Sequence, residues 1–175
     1  MKAQTANDLS EFSALSTSNL QFVREQVSRK LSQYRAERRL IEYAPYAKQR
    51  EVHAAGAGNR ERLLMAANQV GKTWSAGMEV AMHLTGQYPD WWQGRRWDRP
   101  VTCWAAGVTG ESTRDNVQRI LMGRPNAYGT GAIPKTAIAD TSTTRGISDL
   151  LDTIQVKHIS GGVSTVALKS YEKGR

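Results

Sequence analysis

The stretch Ala66-Ala67-Asn68-Gln69-Val70-Gly71-Lys72-Thr73 constrains this chain more than any other. An apolar run, Leu63-Leu64-Met65-Ala66-Ala67, leads into it and predicts a buried strand, and a helix-forming run from Trp74 through Leu84 follows. Strand, Gly-Lys-Thr turn and helix is the order in which a phosphate-binding loop is built. Backbone N–H groups of such a turn point inward, and the new helix adds its N-terminal partial positive charge. Lys72 would reach the β- and γ-phosphates, and the Thr73 hydroxyl would ligate Mg²⁺. The usual pattern opens with glycine, and here that position is Ala66, whose methyl group tolerates positive φ poorly. The plain alternative is an ordinary strand–turn–helix with an exposed lysine.

The 175 residues suffice for one domain with a core. Hydrophobic residues make up 39% and charged residues 23%, the balance of a soluble globular protein. No run approaches the length of a membrane span, and Met1 to Ser18 lacks the apolar centre of a signal peptide. The single cysteine, Cys103, excludes an internal disulfide framework, fits a reducing compartment, and lies in the apolar run Val101 to Ala106 as a buried structural thiol. A formal charge of +8 favours a polyanionic partner, although many basic domains carry such charge only for solubility.

Residues 1–17 read as a disordered polar leader. Ser18 begins a helix signal with Gln21 as its capping-box partner, and residues 18–44 are expected to form a basic amphipathic helix. Leu20, Val23, Val27, Leu31, Tyr34 and Ile41 make one apolar stripe, and Arg24, Arg29, Lys30, Arg35, Arg38 and Arg39 crowd the other faces. That helix either docks on the domain with a solvated basic side or contacts DNA or a neighbouring subunit. Pro45 closes it, and a second helix spans Tyr46 to Ala55 before the Gly56-Ala57-Gly58 break. Gln49 lies in this second helix. Its amide offers one acceptor and two donors, which suits the adenine edge, although an upstream glutamine alone specifies little.

Gly86 is expected to cap the helix that follows the phosphate loop. The segment Gln87 to Pro100 is a loop with Trp91, Trp92 and Trp97 beside Arg95, Arg96 and Arg99. Such residues stack bases and pair phosphates, or else fold onto the domain as a small core of their own; nothing in the segment fixes a groove, which favours the second. Val101 to Ala106 predicts a second buried strand, and Thr109 caps a helix running to about Met122. Two successive strand–helix pairs argue for an α/β layer with parallel pairing. Gly123 to Asp140 reads mostly as loop. Ile154 to Ile159 and Val163 to Tyr171 flank Ser160-Gly161-Gly162, a hairpin signal.

His53, His83 and His158 sit far apart in sequence without metal-ligand spacing, which argues against a zinc site, and no nucleophile elbow is present. A phosphate-loop enzyme needs an aspartate at a strand end and a group that orients water. The one candidate is Asp140 after Ala137-Ile138-Ala139, a run too short and weakly apolar for a central strand.

Four stretches together resemble the front part of tailed-phage terminase large subunits. They are Tyr43-Ala44-Pro45-Tyr46-Ala47-Lys48-Gln49 with Val52-His53, and Ala67-Asn68-Gln69-Val70-Gly71-Lys72-Thr73. The third runs from Leu84-Thr85-Gly86-Gln87-Tyr88-Pro89-Asp90-Trp91-Trp92-Gln93-Gly94 through Trp104-Ala105-Ala106-Gly107 to Thr113-Arg114-Asp115. The fourth extends from Lys157-His158 through Gly161-Gly162 to Lys169-Ser170-Tyr171-Glu172-Lys173-Gly174-Arg175.

The resemblance covers most of the chain from Tyr43 onward, and such proteins commonly replace the first loop glycine, as Ala66 does here. It implies an α/β P-loop NTPase fold of the RecA/ASCE type, a parallel sheet flanked by helices, with an N-terminal helical segment and a C-terminal β-hairpin. Residues 45–175 would form that ATPase domain in incomplete form. It further implies that Gln49 belongs to an adenine-recognition segment, that the loop from Ala67 to Thr73 holds ATP, and that Lys72 and Thr73 keep their phosphate and Mg²⁺ roles. Some relatives carry an arginine where this chain has Asn68, so a cis-arginine role does not carry over. Walker B acids, a coupling motif and an RNase H-like nuclease domain are expected beyond Arg175.

In the complete protein the resemblance implies ATP hydrolysis that drives double-stranded viral DNA into a procapsid, by a homo-oligomeric ring. Its partners would be the portal protein, the procapsid and the small terminase subunit, in the host cytoplasm and away from membranes. Two rival readings are a helicase-like P-loop ATPase and a non-catalytic DNA-binding remnant.

Overall fold

The computed structural model describes residues 4–172, with the side chains of 4–16 and 37 left aside. It divides into two units, Met1–Arg35 and Ala36–Arg175. In the first, helix α1 (Gln4–Arg38) begins. One uninterrupted helix therefore replaces the expected start at Ser18, and the segment expected as a disordered leader is helical from Gln4 on. Apolar residues on the predicted stripe are exposed, Leu20 at 67% and Val23 at 55% among them. Helical periodicity reports which residues share a face but not whether anything covers that face.

In the second unit α1 ends in a turn that sends Leu40 and Tyr43 into the core, neither of which belongs to a helical stripe. Helix α2 (Ala47–Ala55) and helix α3 (Lys72–Thr85) follow. Gly86 ends α3 as expected, at φ 73° with its N–H on the Met82 carbonyl. Strand β1 (Thr102–Gly107) leads to a helix capped by Thr109, whose hydroxyl accepts from Ser112 N while Ser112 Oγ accepts from Thr109 N. This helix, α4, comprises Gly110–Ser112, a π-helical stretch Thr113–Gln118, and Arg119–Met122. Strands β2 (Ile138–Thr143), β3 (Leu151–Lys157) and β4 (Val163–Ser170) complete the unit.

The four strands form one sheet in the order β1-β4-β3-β2. β1 pairs with β4 in parallel, whereas β4–β3 and β3–β2 are antiparallel. The expected parallel sheet is thus a mixed one, parallel at a single junction. The predicted hairpin is present, with Lys157 opposite Val163. Register places Cys103 beside Val166 and Val166 beside Ile154, and Ala105 beside Leu168. This face packs with Met78, Ala81 and Met82 of α3 and Leu121 and Met122 of α4 in one core. On the other face Trp104 lies opposite Ala167 and is 77% exposed. Cys103 is partly buried against this core, and the burial pushes its thiol up to about 11.

Two further corrections concern strands. The run Leu63 to Ala67 forms no strand, and Leu63 and Met65 are 84% and 82% exposed. Apolar composition marks a segment that gains by burial, but a strand exists only where a neighbour completes its ladder, and none of the four strands pairs with this segment. Conversely, Asp140, expected in a loop, lies in β2 at the sheet edge opposite to β1. Among the described residues no helix is long and apolar enough to cross a membrane. The last residues of the terminase-like pattern, Lys173 to Arg175, lie outside the described residues.

Candidate nucleotide-binding site

The loop that enters α3 turns sharply because two of its residues adopt left-handed backbone, Gln69 at φ 63° and Gly71 at φ 78°. Glycine takes that conformation at no steric cost, whereas glutamine there is strained. A side chain at position 71 would also meet the end of the Gln49 side chain, Nε2, at 3.0 Å, and it is the backbone that calls for glycine. α3 starts at the next residue, and its 14 residues direct their positive end at the loop.

Lys72 Nζ donates to the carbonyl oxygens of Ala66 and Ala67, at 2.8 and 2.6 Å. The ammonium thus folds back over the loop that it would share with a phosphate. Thr73 is exposed at the helix N-terminus. A left-handed loop, a lysine at the first helical position and a hydroxyl beside it fit a phosphate with its magnesium ion. Asn68, Gln69 and Val70 are exposed along the same turn, and Ala67 precedes them. Asp140 is not brought here: it lies on the outer strand β2, where its Oδ1 accepts from Thr141 N at 2.8 Å.

Gln49 does approach the loop. It is 8% exposed, and its Nε2 donates to the carbonyls of Val70 and Gly71 at 3.3 and 3.4 Å. Its Oε1 accepts from Tyr46 N at 3.0 Å and from the Tyr43 hydroxyl at 3.4 Å. As the third residue of α2, it returns to cap that helix.

Behind this contact lies a buried polar cluster. His53 is 1% exposed; its Nδ1 donates to Glu79 Oε2 at 2.7 Å. His53 Nε2 lies 3.0 Å from Ser75 Oγ and 3.3 Å from the Tyr43 hydroxyl. Arg62 pairs with both oxygens of Glu79, Nη1 reaching Oε2 at 3.2 Å, and His83 Nε2 approaches Oε1 at 3.5 Å. Burial would raise the Glu79 carboxyl, but hydrogen bonds from His53, His83 and Arg62 outweigh it and hold the group well below the usual carboxylate range. Burial likewise raises the Tyr43 hydroxyl, opposed by its bond to Ser75. A cavity of about 360 Å³ borders the cluster, lined by Arg60, Arg62, Glu79 and His83 among others.

The sequence reading missed this cluster. His53 and His83, far apart in the chain, meet at one carboxylate. A signal was present, since Ser75, Glu79 and His83 follow one another at intervals of four and share a helix face. Its partners across the fold carry no such periodicity. Among the described residues no group of three or more His, Cys, Asp or Glu side chains could hold a metal ion.

The tryptophan loop folds onto the domain. Trp92 is 4% exposed and packs against His53 and His83, and Trp91 Nε1 donates to Tyr43 O at 3.1 Å. Arginines flank this aromatic group, Arg50 over Trp91, Arg96 over Tyr88 and Arg95 over Trp97. Thr113 accepts from Gly107 N at 3.1 Å and lies 3.1 Å from the Lys169 carbonyl, tying α4 to the ends of β1 and β4. Arg114 pairs with Asp115 at 2.8 and 3.2 Å.

Residues 63–175 match the family described as "Terminase large subunit, T4likevirus-type, N-terminal". The chain is also 38% identical over 162 residues to the large terminase subunit of Salmonella phage P22, an alignment that covers 81% of this chain and 32% of that protein. It therefore spans about a third of the length of this relative. No solved structure matches. With the family pattern spanning the turn into α3, α3 itself, the tryptophan loop and the whole sheet, this chain belongs to the terminase large subunit family.

Proposed function

We propose that this chain is the nucleotide-binding part of a viral DNA-packaging ATPase. The observation that carries the reading is Lys72 at the first position of α3, directly after left-handed Gly71, in a chain of the terminase large subunit family. Lys72 would exchange the carbonyls of Ala66 and Ala67 for the β- and γ-phosphates of ATP, and Thr73 would hold Mg²⁺. Ala67, Asn68, Gln69, Val70 and Gly71 would supply backbone N–H donors. Bound ATP supplies the phosphoanhydride whose hydrolysis releases the energy for movement.

In the complete protein, that hydrolysis would move double-stranded viral DNA into a procapsid, coupled to a nuclease elsewhere in the chain. A formal charge of +8 suits a partner gripped by its phosphates, whatever its sequence. The portal, the small terminase subunit and further copies of the chain in a ring are the partners this function requires. The P-loop NTPase architecture belongs to the same proposal.

For the 175-residue chain the expected activity is weak Mg²⁺·ATP binding with negligible hydrolysis. Asp140, its one sequence candidate for the magnesium-associated acid, lies on the far edge of the sheet. Calorimetric titration of the chain and of Lys72→Ala with Mg²⁺·ATP tests this, alongside steady-state phosphate release. Binding that disappears in the variant supports the reading. Equal binding by both proteins, or clear turnover that the variant loses, overturns the corresponding half.

A further inference from the structure

We propose that Arg50, Arg95 and Arg96 grip the phosphate backbone of double-stranded DNA and are held ready for it by the aromatic group of the tryptophan loop. This rests on the reading of the chain as part of a DNA-packaging ATPase and says where its polyanionic partner is touched. Each guanidinium lies against a ring: Arg50 5.5 Å from the centre of Trp91, Arg96 5.4 Å from that of Tyr88, and Arg95 5.6 Å from that of Trp97. The rings belong together. Trp91 and Tyr88 lie 5.9 and 5.7 Å from Trp92, and the Tyr88 hydroxyl accepts from Trp97 N at 2.9 Å. An arginine of α2 and two of the loop thus rest on one aromatic group.

The charges of these arginines are not spent within the fold. Elsewhere Arg29, Arg38, Arg62 and Arg114 each pair with a carboxylate. Among the described residues Arg50, Arg95 and Arg96 form no ion pair, not even with Asp90 and Asp98 of the same loop. All three are exposed, and Arg96 spends one N–H on the Trp92 carbonyl at 3.4 Å. A ring takes up the face of a guanidinium and leaves the N–H groups at its edge free for phosphate oxygens. It also restrains a long side chain that would otherwise lose its rotamer freedom on binding.

The surface suits a duplex better than unstacked bases. Trp92 is buried, and Trp91 and Tyr88 pack against neighbouring rings and are less exposed than the arginines on them. Guanidinium edges, rather than free rings for stacking, are what the surface offers. Contacts of that kind carry no sequence information, as the movement of DNA of any sequence requires.

The experiment measures binding of two fluorescent duplexes of unrelated sequence across a range of salt concentrations. It compares the wild-type chain with the triple variant Arg50→Gln, Arg95→Gln, Arg96→Gln and with a control of equal charge loss at dispersed exposed sites, Lys135→Gln, Arg145→Gln, Lys157→Gln. The corresponding lysine triple, R50K, R95K, R96K, keeps the charge without the planar fork and serves if the glutamine triple folds poorly, as read by near-ultraviolet circular dichroism.

The expected result is a loss of about tenfold in affinity for each arginine removed, equal for both duplexes, with the log–log salt slope smaller by about one for each. The lysine triple is expected to keep the slope and still lose affinity. An equal loss in the dispersed control overturns the proposal, because net charge alone would then explain binding, and so does a lysine triple that binds as tightly as wild type. A wild-type chain that binds Mg²⁺·ATP but no duplex at low salt overturns this proposal and leaves the nucleotide reading standing.

Discussion

His53 Nδ1 and Glu79 Oε2 lie 2.7 Å apart, and this pair joins the helix that carries Gln49 to the helix that begins at Lys72. Glu79 also gathers Arg62 and His83, so one carboxylate holds three basic side chains from three parts of the chain. Breaking such a buried set by removing one partner is costly, because the remaining charges keep their desolvation and lose their compensation.

The pH dependence follows from the sign of the Glu79 shift. Its carboxyl is held below the ordinary value of 4.5, so the unfolded chain takes up this proton before the folded one does. The contribution is full above that value and is lost progressively as pH falls below it. In urea unfolding from pH 7 to pH 3, Glu79→Gln is expected to be less stable than wild type at neutral pH, with the gap narrowing in acid. A gap independent of pH would show that the ionised form has no special role.

Gly86 offers a test of how α3 meets the hairpin. The residue sits at φ 73°, and a Cβ there would lie 2.5 Å from His158 Nε2. Gly86→Ala is expected to cost about 1–2 kcal/mol from the left-handed backbone alone, plus the displacement of a buried imidazole. Denaturant midpoints measure it. A midpoint equal to wild type would mean that the turn relaxes freely.

The outer side of β1 bears on association. β1 ends the sheet order, Trp104 is 77% exposed on it, and Leu63 and Met65 stand exposed in the unpaired segment before α3. Open sheet edges recruit further strands, and exposed apolar side chains favour association. The 175-residue chain is expected to self-associate with rising concentration and to bind hydrophobic dyes. Trp104→Lys should reduce both, as read by light scattering and dye fluorescence. A sharp, cooperative melt of a wild-type monomer would contradict this expectation.

Local signals in the sequence were reliable where one short segment decides its own conformation. Gly86 as a helix stop, Thr109 as a cap and Ser160-Gly161-Gly162 as a hairpin turn all stand where their chemistry put them. The tryptophan loop likewise folds inward, since three large aromatics so close together bury each other or remain wet. The terminase pattern was legible as well, because it is carried by residue types in order.

Other features depend on partners that no single segment contains. Leu63 to Ala67 has a strand's composition, but pairing is a relation between two backbones, and the sheet assembles without it. Three of the four strands lie antiparallel to a neighbour because β2 and β3 return through short connections, a choice invisible in apolar runs. Gln49 shows the same division. Its sequence position says nothing of its neighbours, whereas the packing of α2 against the loop brings its amide to the carbonyls of Val70 and Gly71. By itself, then, the sequence determined the family and the turns. Tertiary structure decided which strands pair and which polar groups are already spent, because both are settled by neighbours that the chain brings from a distance.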